Sequence, residues 1–468
     1  MSDRDTIVAV ATGASRAGIG VVRLSGPRAH AIAAELCARA TSDVAPRVAR
    51  YARFLDDDGA VIDDGLVLAF VAPRSFTGED VVELQGHGNP LLLARLVARC
   101  IALGARHARP GEFSERAFLE GKLDLAQAEA VADLIAASSE ATLRAARRSL
   151  DGVFSARIDE LVEALTLLRV HVEAAIDFPE EEIDFLAAPE LSRRLAQIEG
   201  LHAALATDAA RGLRLNDGLH AVLLGAPNAG KSALLNALAG AERAIVTPQA
   251  GTTRDVLREV VRVDGIELTL VDTAGLRDTD DAIEREGIRR ARGEAAKADL
   301  VLAVLDDREA DVAIARLRAE FAGAARHAAD HGWARATSTG ASILWLHTHA
   351  DLTGCAGHDE TRADGRHLWL DLLGGVGLDA LRVALREAAA PGESGGGDGA
   401  FTARARHVEA IARAGAHLAQ ASAQLRARQG ELAAEDLRLA QDALGEITGV
   451  VSADALLGRI FSSFCIGK

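Results

Sequence analysis

The spacing of apolar residues changes several times along the chain, and these changes predict a multidomain protein. Within residues 1–122, short apolar runs alternate with segments in which apolar residues recur every three or four positions, which indicates an α/β or α+β domain. The predicted strands are 6–11, 20–24, 65–71 and 80–84, and the predicted helices are 27–39 and 90–103.

A helical pattern occupies the middle of the chain and returns at its end. Pro179, in an acidic stretch, predicts a break in the first helical block, and a Gly-rich segment at 391–399 predicts a flexible linker. One helical domain with another domain inserted into it explains this order. The predicted fold is multidomain, α/β plus all-α, with an N-terminal α/β domain at 1–122, a discontinuous helical domain at 123–215 and 391–468, and an inserted α/β domain at 216–390.

Composition narrows the functions open to this chain. The net charge of −16 argues against non-specific coating of nucleic acid, although it leaves a local basic patch possible. The four cysteines, at positions 37, 100, 355 and 465, have neither C-x-x-C spacing nor the pattern of a disulfide framework. No apolar run reaches the length of a membrane span, and the first residues do not read as a signal peptide. A cytoplasmic protein is therefore expected.

Residues 225–232 read G-x-x-x-x-G-K-S, between an apolar run at 220–224 and a helical stretch at 233–239. This order of strand, Gly-rich loop and helix is typical of a phosphate-binding P-loop. Backbone N–H groups would surround the phosphates, Lys231 would reach the β- and γ-phosphates, and the Ser232 hydroxyl would hold Mg²⁺. The chain has only four lysines, at 122, 231, 297 and 468, so keeping a lysine here favours function over a chance match.

Two further sequence elements indicate that this P-loop protein is a GTPase. Residues 251–255 read G-T-T-R-D, which suits a switch loop that closes on Mg²⁺ when the third phosphate is present. An apolar strand then ends in D-T-A-G at 272–275, where Asp272 can support the Mg²⁺ shell and the Gly275 amide can contact the γ-phosphate. Their order and spacing are typical of translation-factor-class GTPases rather than ATPases.

Four separated segments of the chain resemble the MnmE (TrmE) family of tRNA-modification GTPases. They are D-T-I-V-A with I-G-V-V-R-L-S-G at 5–9 and 19–26, F-T-G-E-D-V-V-E-L-Q-G-H-G at 76–88, P-G-E-F-S-E-R-A-F with K-L-D-L-A-Q-A-E-A at 110–118 and 122–130, and L-L-G-R-I-F with F-C-I-G-K at 456–461 and 464–468. The resemblance covers almost the whole chain.

The resemblance implies GTP hydrolysis in which a K⁺ ion replaces an arginine finger when two G domains meet. Glu284 is implied to orient the attacking water and Lys231 to act on the phosphates, although a solvated helix carboxylate is the alternative for Glu284. The implied Mg²⁺ ligands are Ser232 and Thr253, and the implied K⁺ ligands are Asn228, Thr247, Gln249 and Thr252. The implied GTP-binding residues are Asn228, Ala229, Gly230, Lys231, Ser232, Ala233, Thr247, Pro248, Gln249, Ala250, Gly251, Thr252, Thr253, Asp272, Thr273, Ala274, Gly275, Thr348, His349, Ala350 and Asp351.

The N-terminal domain is similar to the family's folate-binding fold, which implies a 5-formyl-tetrahydrofolate-type one-carbon donor. The matching ligand positions are Arg23, Glu83, Lys122 and Lys468, and cationic side chains with one carboxylate suit an anionic glutamate tail and a pterin edge. Plain surface charges are the alternative for Lys122 and Lys468. Cys465 and His87 could face this site or have only structural roles.

The base-recognition motif departs from the family pattern N-K-x-D. Residues 348–351 read T-H-A-D, so Asp351 remains to accept the two N–H groups of guanine, while the Asn and Lys positions hold Thr348 and His349. The later S-A-x element is replaced by D-L-L at 371–373. The sequence therefore leaves the strength of guanine selectivity open.

The resemblance also implies partners: a homodimer, an FAD-dependent protein of the MnmG (GidA) type in a heterotetramer or larger assembly, and tRNA, with no membrane. The implied reaction adds a carboxymethylaminomethyl-type group to C5 of the wobble uridine of certain tRNAs. Three alternatives remain open at this point. They are a nucleotide-binding scaffold that does not cycle, an Era- or Der-like ribosome-assembly GTPase, and a folate-dependent transferase with a vestigial G domain.

Overall fold

The computed structural model describes residues 5–38 except 14, 45–177 except 138, 189–239 except 218 and 227, 258–272 except 264–265, 298, 300–318, 342–389, 400–451, 454–462, 464 and 467. These residues form two compact units. The first unit comprises Met1–Ala136, Ala146–Ala206 and Glu409–Lys468, and the second comprises Ala137–Ala145 and Thr207–Val408.

The first unit contains a six-stranded sheet with the order β3-β4-β5-β2-β1-β6, antiparallel throughout except for the parallel pair β1–β6. Helices α1 and α2 pack on it and enclose a core that includes Leu24, Phe54, Leu84 and Leu96. The elements are β1 Ile7–Val10, β2 Ala17–Ser25, α1 Ala29–Leu36, β3 Arg50–Leu55, β4 Val61–Phe70, β5 Val81–Gly88, α2 Pro90–Ala102 and β6 Arg106–His107.

The predicted strands and helices of this sheet are all present, and the structure adds β3 and β6, which the sequence did not predict. In β3 the buried residues are Ala52 and Phe54, between exposed Arg50, Tyr51 and Arg53. This short alternation is too weak a signal to distinguish an edge strand from a polar loop.

Helices make up the rest of the first unit. A cluster of Leu125, Ala128, Ile460, Phe461 and Phe464 joins α4 to the C-terminal segment. The helices after the sheet are α3 Glu112–Leu119, α4 Leu125–Ala136, α5 Glu140–Leu150, α6 Val153–Asp177 and α7 Pro189–Asp217, and later α11 Ala405–Arg426, α12 Gly430–Thr448 and α13 Asp454–Ser462. Of these, α5, α7 and α11 each have residues in both units.

The second unit is built on a seven-stranded sheet with the order β12-β13-β11-β10-β7-β9-β8. Its five inner strands are parallel, and the edge strands β8 and β12 are antiparallel to their neighbours. The elements are β7 Leu219–Leu224, α8 Lys231–Ala239, β8 Arg258–Val263, β9 Ile266–Asp272, β10 Leu300–Asp306, a 3₁₀ turn Asp307–Glu309, β11 Ser342–Thr348, α9 Ala350–Thr353, β12 Asp359–Arg362, β13 Gly365–Trp369 and α10 Leu378–Ala389.

Both faces of this sheet are covered, so the central strands are continuously apolar. The residues of β10 from Leu300 to Leu305 are all buried, as expected for a parallel strand between two layers. One face packs on α8 and α10 through residues such as Leu234 and Leu385, and the other holds Ala303, Leu305 and Trp345. The carboxyl ends of β7, β10 and β11 therefore meet at one edge.

A buried ionic network holds α3 to the N-terminal sheet. The Glu112 carboxylate, with a side chain 3% exposed, accepts hydrogen bonds from the Arg106 and Arg116 guanidinium groups at 2.7 and 3.1 Å. Arg116 also donates to Glu79 at 3.0 Å and to the Asp5 carboxylate at 2.9 Å. Burial alone would raise the pKa of Glu112, but these donors lower that pKa to about 2.

Among the described residues, none of the helices is long and apolar enough to cross a membrane. Within the same residues, no group of three or more His, Cys, Asp or Glu side chains is placed to hold a metal ion.

Replacing Glu112 by Gln is expected to lower the free energy of unfolding at neutral pH by about 3 kcal/mol, because the buried Arg116 and the partly exposed Arg106 lose their charged partner. Since folding lowers the pKa of Glu112, its stabilising contribution is present above its ordinary value of 4.5 and is lost as pH falls from there towards about 2. Denaturant unfolding at pH 7 and at pH 3 measures both effects.

The matched control is Glu115→Gln on the same helix, which removes a carboxylate paired with the exposed Arg109. That variant should lose at most about 1 kcal/mol. Equal losses in the two variants would contradict a special role for the buried network.

Candidate functional site

The predicted P-loop lies where β7 ends at the centre of the second sheet. Helix α8 begins at Lys231, and Asn228 and Gly230 just before it have φ angles of +65° and +88°. These left-handed residues reverse the chain tightly, so that the N-terminus of α8 faces the turn of the loop. The amide groups of this turn and helix start are suited to an anion.

Lys231 lies inside the loop. It is 5% exposed, and its Nζ donates to the carbonyl oxygens of Gly225 and Ala226 at 2.7 and 2.9 Å. A buried ammonium group in a Gly-rich loop is a compact positive charge that suits phosphate oxygens. The residues present therefore fit the β- and γ-phosphates of a nucleotide.

Gly230 is required by a close approach between the P-loop and the base-recognition segment, which we define as residues 348–351. A Cβ atom at this position would lie 3.2 Å from Cβ and Cγ2 of Thr348, and the φ angle of +88° strains any L side chain. A glycine removes both obstacles.

Thr348 joins the two loops by hydrogen bonding. Its side chain is fully buried, and Oγ1 lies 2.8 Å from the carbonyl oxygen of Ala229 and 2.9 Å from that of Leu305. One hydroxyl hydrogen serves both carbonyls. The threonine at the Asn position of the motif therefore anchors the end of β11 to the P-loop and to β10.

The rest of the base-recognition segment follows this anchor. His349 has a φ angle of +56° and precedes α9, Ala350 is buried, and Asp351 is exposed in the first turn. Because the segment lies at the same sheet edge as the P-loop, the Asp351 carboxylate is available there to accept N–H groups of a base.

The D-L-L element also forms an ordered loop. The Asp371 carboxylate accepts hydrogen bonds from the backbone N–H groups of Leu373 and Gly374 at 3.0 and 2.8 Å. This is the turn that a serine can make at the start of such a loop. The loss of serine therefore does not remove the turn.

Several predicted GTP and metal positions lie outside the described residues. Asp272 is described only as the last residue of β9, beside Leu223 of β7. The structure describes Ser232 and Ala233 as exposed at the start of α8. The positions outside the described part of the chain are Thr247, Pro248, Gln249, Ala250, Gly251, Thr252, Thr253, Thr273, Ala274, Gly275 and Glu284.

A second candidate site lies on the N-terminal sheet, where β2 and β5 place Arg23 directly opposite Glu83. The Arg23 Nε and Nη2 atoms donate to Oε1 of Glu83 at 3.0 and 2.8 Å. The guanidinium carbon lies 5.4 Å from the ring centroid of Phe76 and 5.8 Å from that of Phe113. Arg23 is therefore held in place by a carboxylate and two rings.

A cavity of about 360 Å³ adjoins this pair. Lys122 lies on its wall, and Lys122 Nζ donates to the Pro73 carbonyl at 3.1 Å. Aromatic rings, one carboxylate and several cations fit a planar heterocycle with an anionic tail. The lining residues are Arg47, Phe70, Arg74, Ser75, Phe76, Val81, Glu83 and Lys122.

The structure brings Arg23, Glu83 and Lys122 to one region, while Lys468 and Cys465 lie outside the described residues. Gly467, next to Lys468, is described: it is buried with a φ angle of +99°, and a Cβ there would lie 2.0 Å from the Val10 carbonyl oxygen. The C-terminal segment is thus packed against β1.

His87 has a structural partner. Its Nδ1 lies 2.8 Å from Oδ1 of Asp63, a contact that raises the pKa of the exposed imidazole. The hydrogen bond accounts for His87 without a ligand.

Sequence reasoning missed a cluster of rings beside the base-recognition segment. Trp345 and His347 on β11 pair in register with His367 and Trp369 on β13, and all four side chains are buried. The sequence did contain a signal for this cluster, because a Trp and a His stand two residues apart in each of the two strands. In a chain with 3% aromatic residues, this spacing marks one sheet face.

Comparisons with known proteins cover the whole chain. Residues 6–122 match the family described as the GTP-binding protein TrmE N-terminus, and residues 125–465 match the MnmE helical domain. A protein named tRNA modification GTPase MnmE from Xanthomonas campestris pv. campestris (strain B100) is 57% identical over 463 residues, 99% of both chains.

The protein of the same name from Xylella fastidiosa (strain Temecula1 / ATCC 700964) is 50% identical over 464 residues, 99% of this chain and 98% of its own. Among solved structures, the G domain of the T. maritima FeoB iron transporter is 21% identical and covers 36% of this chain and 98% of its own, with a TM-score of 0.26. That score is too low to bear on fold or function.

Replacing Thr348 by Val keeps the shape of the side chain but removes its hydroxyl. The buried carbonyls of Ala229 and Leu305 then lose a donor, at a cost of about 1–3 kcal/mol. We expect GDP affinity to fall several-fold and the melting temperature to decrease. Isothermal titration and thermal unfolding measure the two effects.

Thr348→Ser is the control because it retains the hydroxyl. It should bind GDP nearly as well as the wild type. A loss in the Ser variant without a loss in the Val variant would mean that the methyl group, rather than the hydrogen bonds, joins the two loops.

Proposed function

The chain belongs to the MnmE family of tRNA-modification GTPases, and from this membership we propose its full reaction. In our proposal, the protein hydrolyses GTP with stimulation by K⁺. Together with an FAD-dependent partner of the MnmG type, it adds a carboxymethylaminomethyl-type group to C5 of the wobble uridine in certain tRNAs. The observation that carries the nucleotide part is the buried Lys231 ammonium in a loop that Thr348 joins to the base-recognition segment.

GTP hydrolysis requires charge stabilisation around the transferred phosphoryl group. Lys231 would hold the β- and γ-phosphate oxygens in place of the carbonyls that it now contacts, and the α8 N-terminus would add its dipole. Ser232, exposed at the start of α8, would ligate Mg²⁺ with Thr253, and Glu284 would orient the attacking water. Mg²⁺ would neutralise charge on the phosphates when bound.

Potassium would act from the P-loop side. Asn228 is exposed at the turn of the loop, where its side-chain oxygen is available to a hard cation. Thr247, Gln249 and Thr252 would complete the oxygen ligands. A monovalent cation at this position supplies positive charge near the leaving group without an arginine.

The N-terminal site would bind a 5-formyl-tetrahydrofolate-type donor. The Arg23–Glu83 pair offers both a donor and an acceptor to a pterin edge, and Lys122 offers a cation to the tail. Lys468 would join them from the C-terminal segment. The proposed assembly is a cytoplasmic homodimer that binds the flavin protein and tRNA.

A second candidate function, a nucleotide-binding scaffold that does not cycle, is favoured by one observation. Thr348 and His349 replace the Asn and Lys of the base motif, so guanine has fewer side-chain contacts than usual. The structure weakens this alternative because Thr348 still joins the two loops.

We expect GTP turnover to be at least about tenfold faster in K⁺ than in Na⁺ at equal ionic strength, because K⁺ is the cation that family membership implies beside the leaving group. Asn228→Ala should abolish the difference while GDP binding persists. Steady-state phosphate release measures turnover, and a titration measures GDP binding.

The control is Asn236→Ala, which removes an exposed amide from α8 of the same unit. It should keep the K⁺ response. Equal turnover in both salts would refute the role of potassium, and binding without turnover in either salt would favour the scaffold.

Lys122→Met should weaken binding of 5-formyl-tetrahydrofolate by about tenfold or more, because a hydrogen bond to a charged group is lost. Isothermal titration measures the affinity, and GTP turnover should stay at the wild-type level. Arg95→Met is the control, since this exposed arginine of the same sheet domain pairs with Asp56. If both variants bind the folate equally well, Lys122 does not contact it.

A further inference from the structure

Asp307 gathers three hydrogen-bond donors from three different elements. Its Oδ1 accepts from His347 Nδ1 at 3.0 Å and from Trp369 Nε1 at 2.9 Å, and its Oδ2 accepts from the Thr353 hydroxyl. The donors come from β11, β13 and α9, and the Asp307 side chain is 8% exposed. A buried carboxylate with three donors fixes the positions of all three elements.

Two of these donors flank the base-recognition segment. His347 directly precedes Thr348, and Thr353 ends the helix that carries Asp351. Asp307 therefore holds both ends of the segment from one side. Thr348 holds it from the other side through the Ala229 carbonyl of the P-loop.

The imidazole of His347 cannot turn away from Asp307. Its ring stacks on Trp369 with centroids 4.2 Å apart and planes 12° apart, and its Nε2 lies 3.0 Å from Nδ1 of His367. Burial lowers the pKa of both histidines, against the opposing effect of the Asp307 and Asp364 carboxylates.

The contacts with Asp307 and His367 fix which nitrogen of a neutral His347 carries the proton. His347 donates from Nδ1 to the carboxylate and accepts at Nε2 from His367 Nδ1–H. The other nitrogen of His367, Nε2, lies 3.3 Å from Oδ1 of Asp364, which is the longest of the three contacts. The distances thus agree with a neutral His347 that is oriented by its neighbours.

We propose that Asp307 is a positioning residue for base recognition, holding the base-recognition segment, and with it the Asp351 carboxylate, where guanine is read. This inference rests on the proposed role of Asp351. In that role, Asp351 accepts both the N1–H and N2–H groups of guanine, so a small displacement of α9 weakens two hydrogen bonds together. Lys231, the residue proposed to hold the phosphates, lies on a different loop, so its role should not depend on Asp307.

The test compares GDP and ADP affinities of the full chain, because their ratio reports base reading and cancels most of the phosphate contribution. Competition against fluorescent GDP measures both. Asp307→Ala and Thr353→Val should each lower the GDP-to-ADP affinity ratio by about tenfold, the effect of one or two lost hydrogen bonds, and leave ADP affinity within about twofold.

Two matched controls separate positioning from general damage. Glu309→Ala removes an exposed carboxylate from the same 3₁₀ turn, and Thr353→Ser keeps the hydroxyl that Thr353→Val removes. Both should retain the wild-type ratio. If Asp307→Ala does not fold, the Thr353→Val and Thr353→Ser pair decides the question, because an unchanged ratio in Val overturns the proposal.

A further variant, Asp351→Asn, distinguishes this inference from the function on which it rests. Asparagine offers one acceptor and one donor, which match N1–H and the C2 carbonyl of xanthine, so the variant should prefer XDP to GDP. Failure to prefer XDP would refute Asp351 as the base reader. Preference for XDP together with wild-type ratios in Asp307→Ala and Thr353→Val would overturn only the role of Asp307.

Discussion

The hydroxyl of Thr348 connects the two halves of the nucleotide site, the loop after β7 and the loop after β11. Between these strands lies β10, whose Leu305 carbonyl shares the same hydroxyl hydrogen with Ala229. This buried contact therefore helps to set the distance between the P-loop and the base-recognition segment. A buried carbonyl left without a donor here would cost about 1–3 kcal/mol.

The P-loop could be predicted from the sequence because its chemistry depends on local spacing. Glycines must stand where the backbone turns left-handed, as at Gly230, and the lysine must follow directly. The N-terminal strands could be predicted because one face of the sheet is continuously apolar. The short edge strands β3 and β6 could not, since an edge strand needs only a few buried residues and the partner of β6 lies near the start of the chain.

The environment of the base-recognition segment could not be predicted for a related reason. Asp307 meets Thr353 and Trp369 only when β10, β11 and β13 are in register, across separations of 46 and 62 residues. A sequence motif gives the identity of a residue but not the distant side chain with which it forms a hydrogen bond. The T-H-A-D sequence therefore looked weaker than N-K-x-D, although its first residue keeps its hydrogen bond to the P-loop. The Arg23–Glu83 pair likewise needs the β2–β5 register.

Replacing Asn and Lys at the base motif changes which groups fix the segment. An asparagine can anchor the segment through its amide, and a lysine side chain can cover the loop. Here a hydroxyl with a single hydrogen serves two carbonyls, and His349 supplies a shorter side chain. Because the motif itself makes fewer contacts, the position of the base-recognition segment depends more on the residues packed around it. A buried carboxylate with three donors is well suited to this task, because its charge strengthens each hydrogen bond and its two oxygens set the angles between the elements that donate to it.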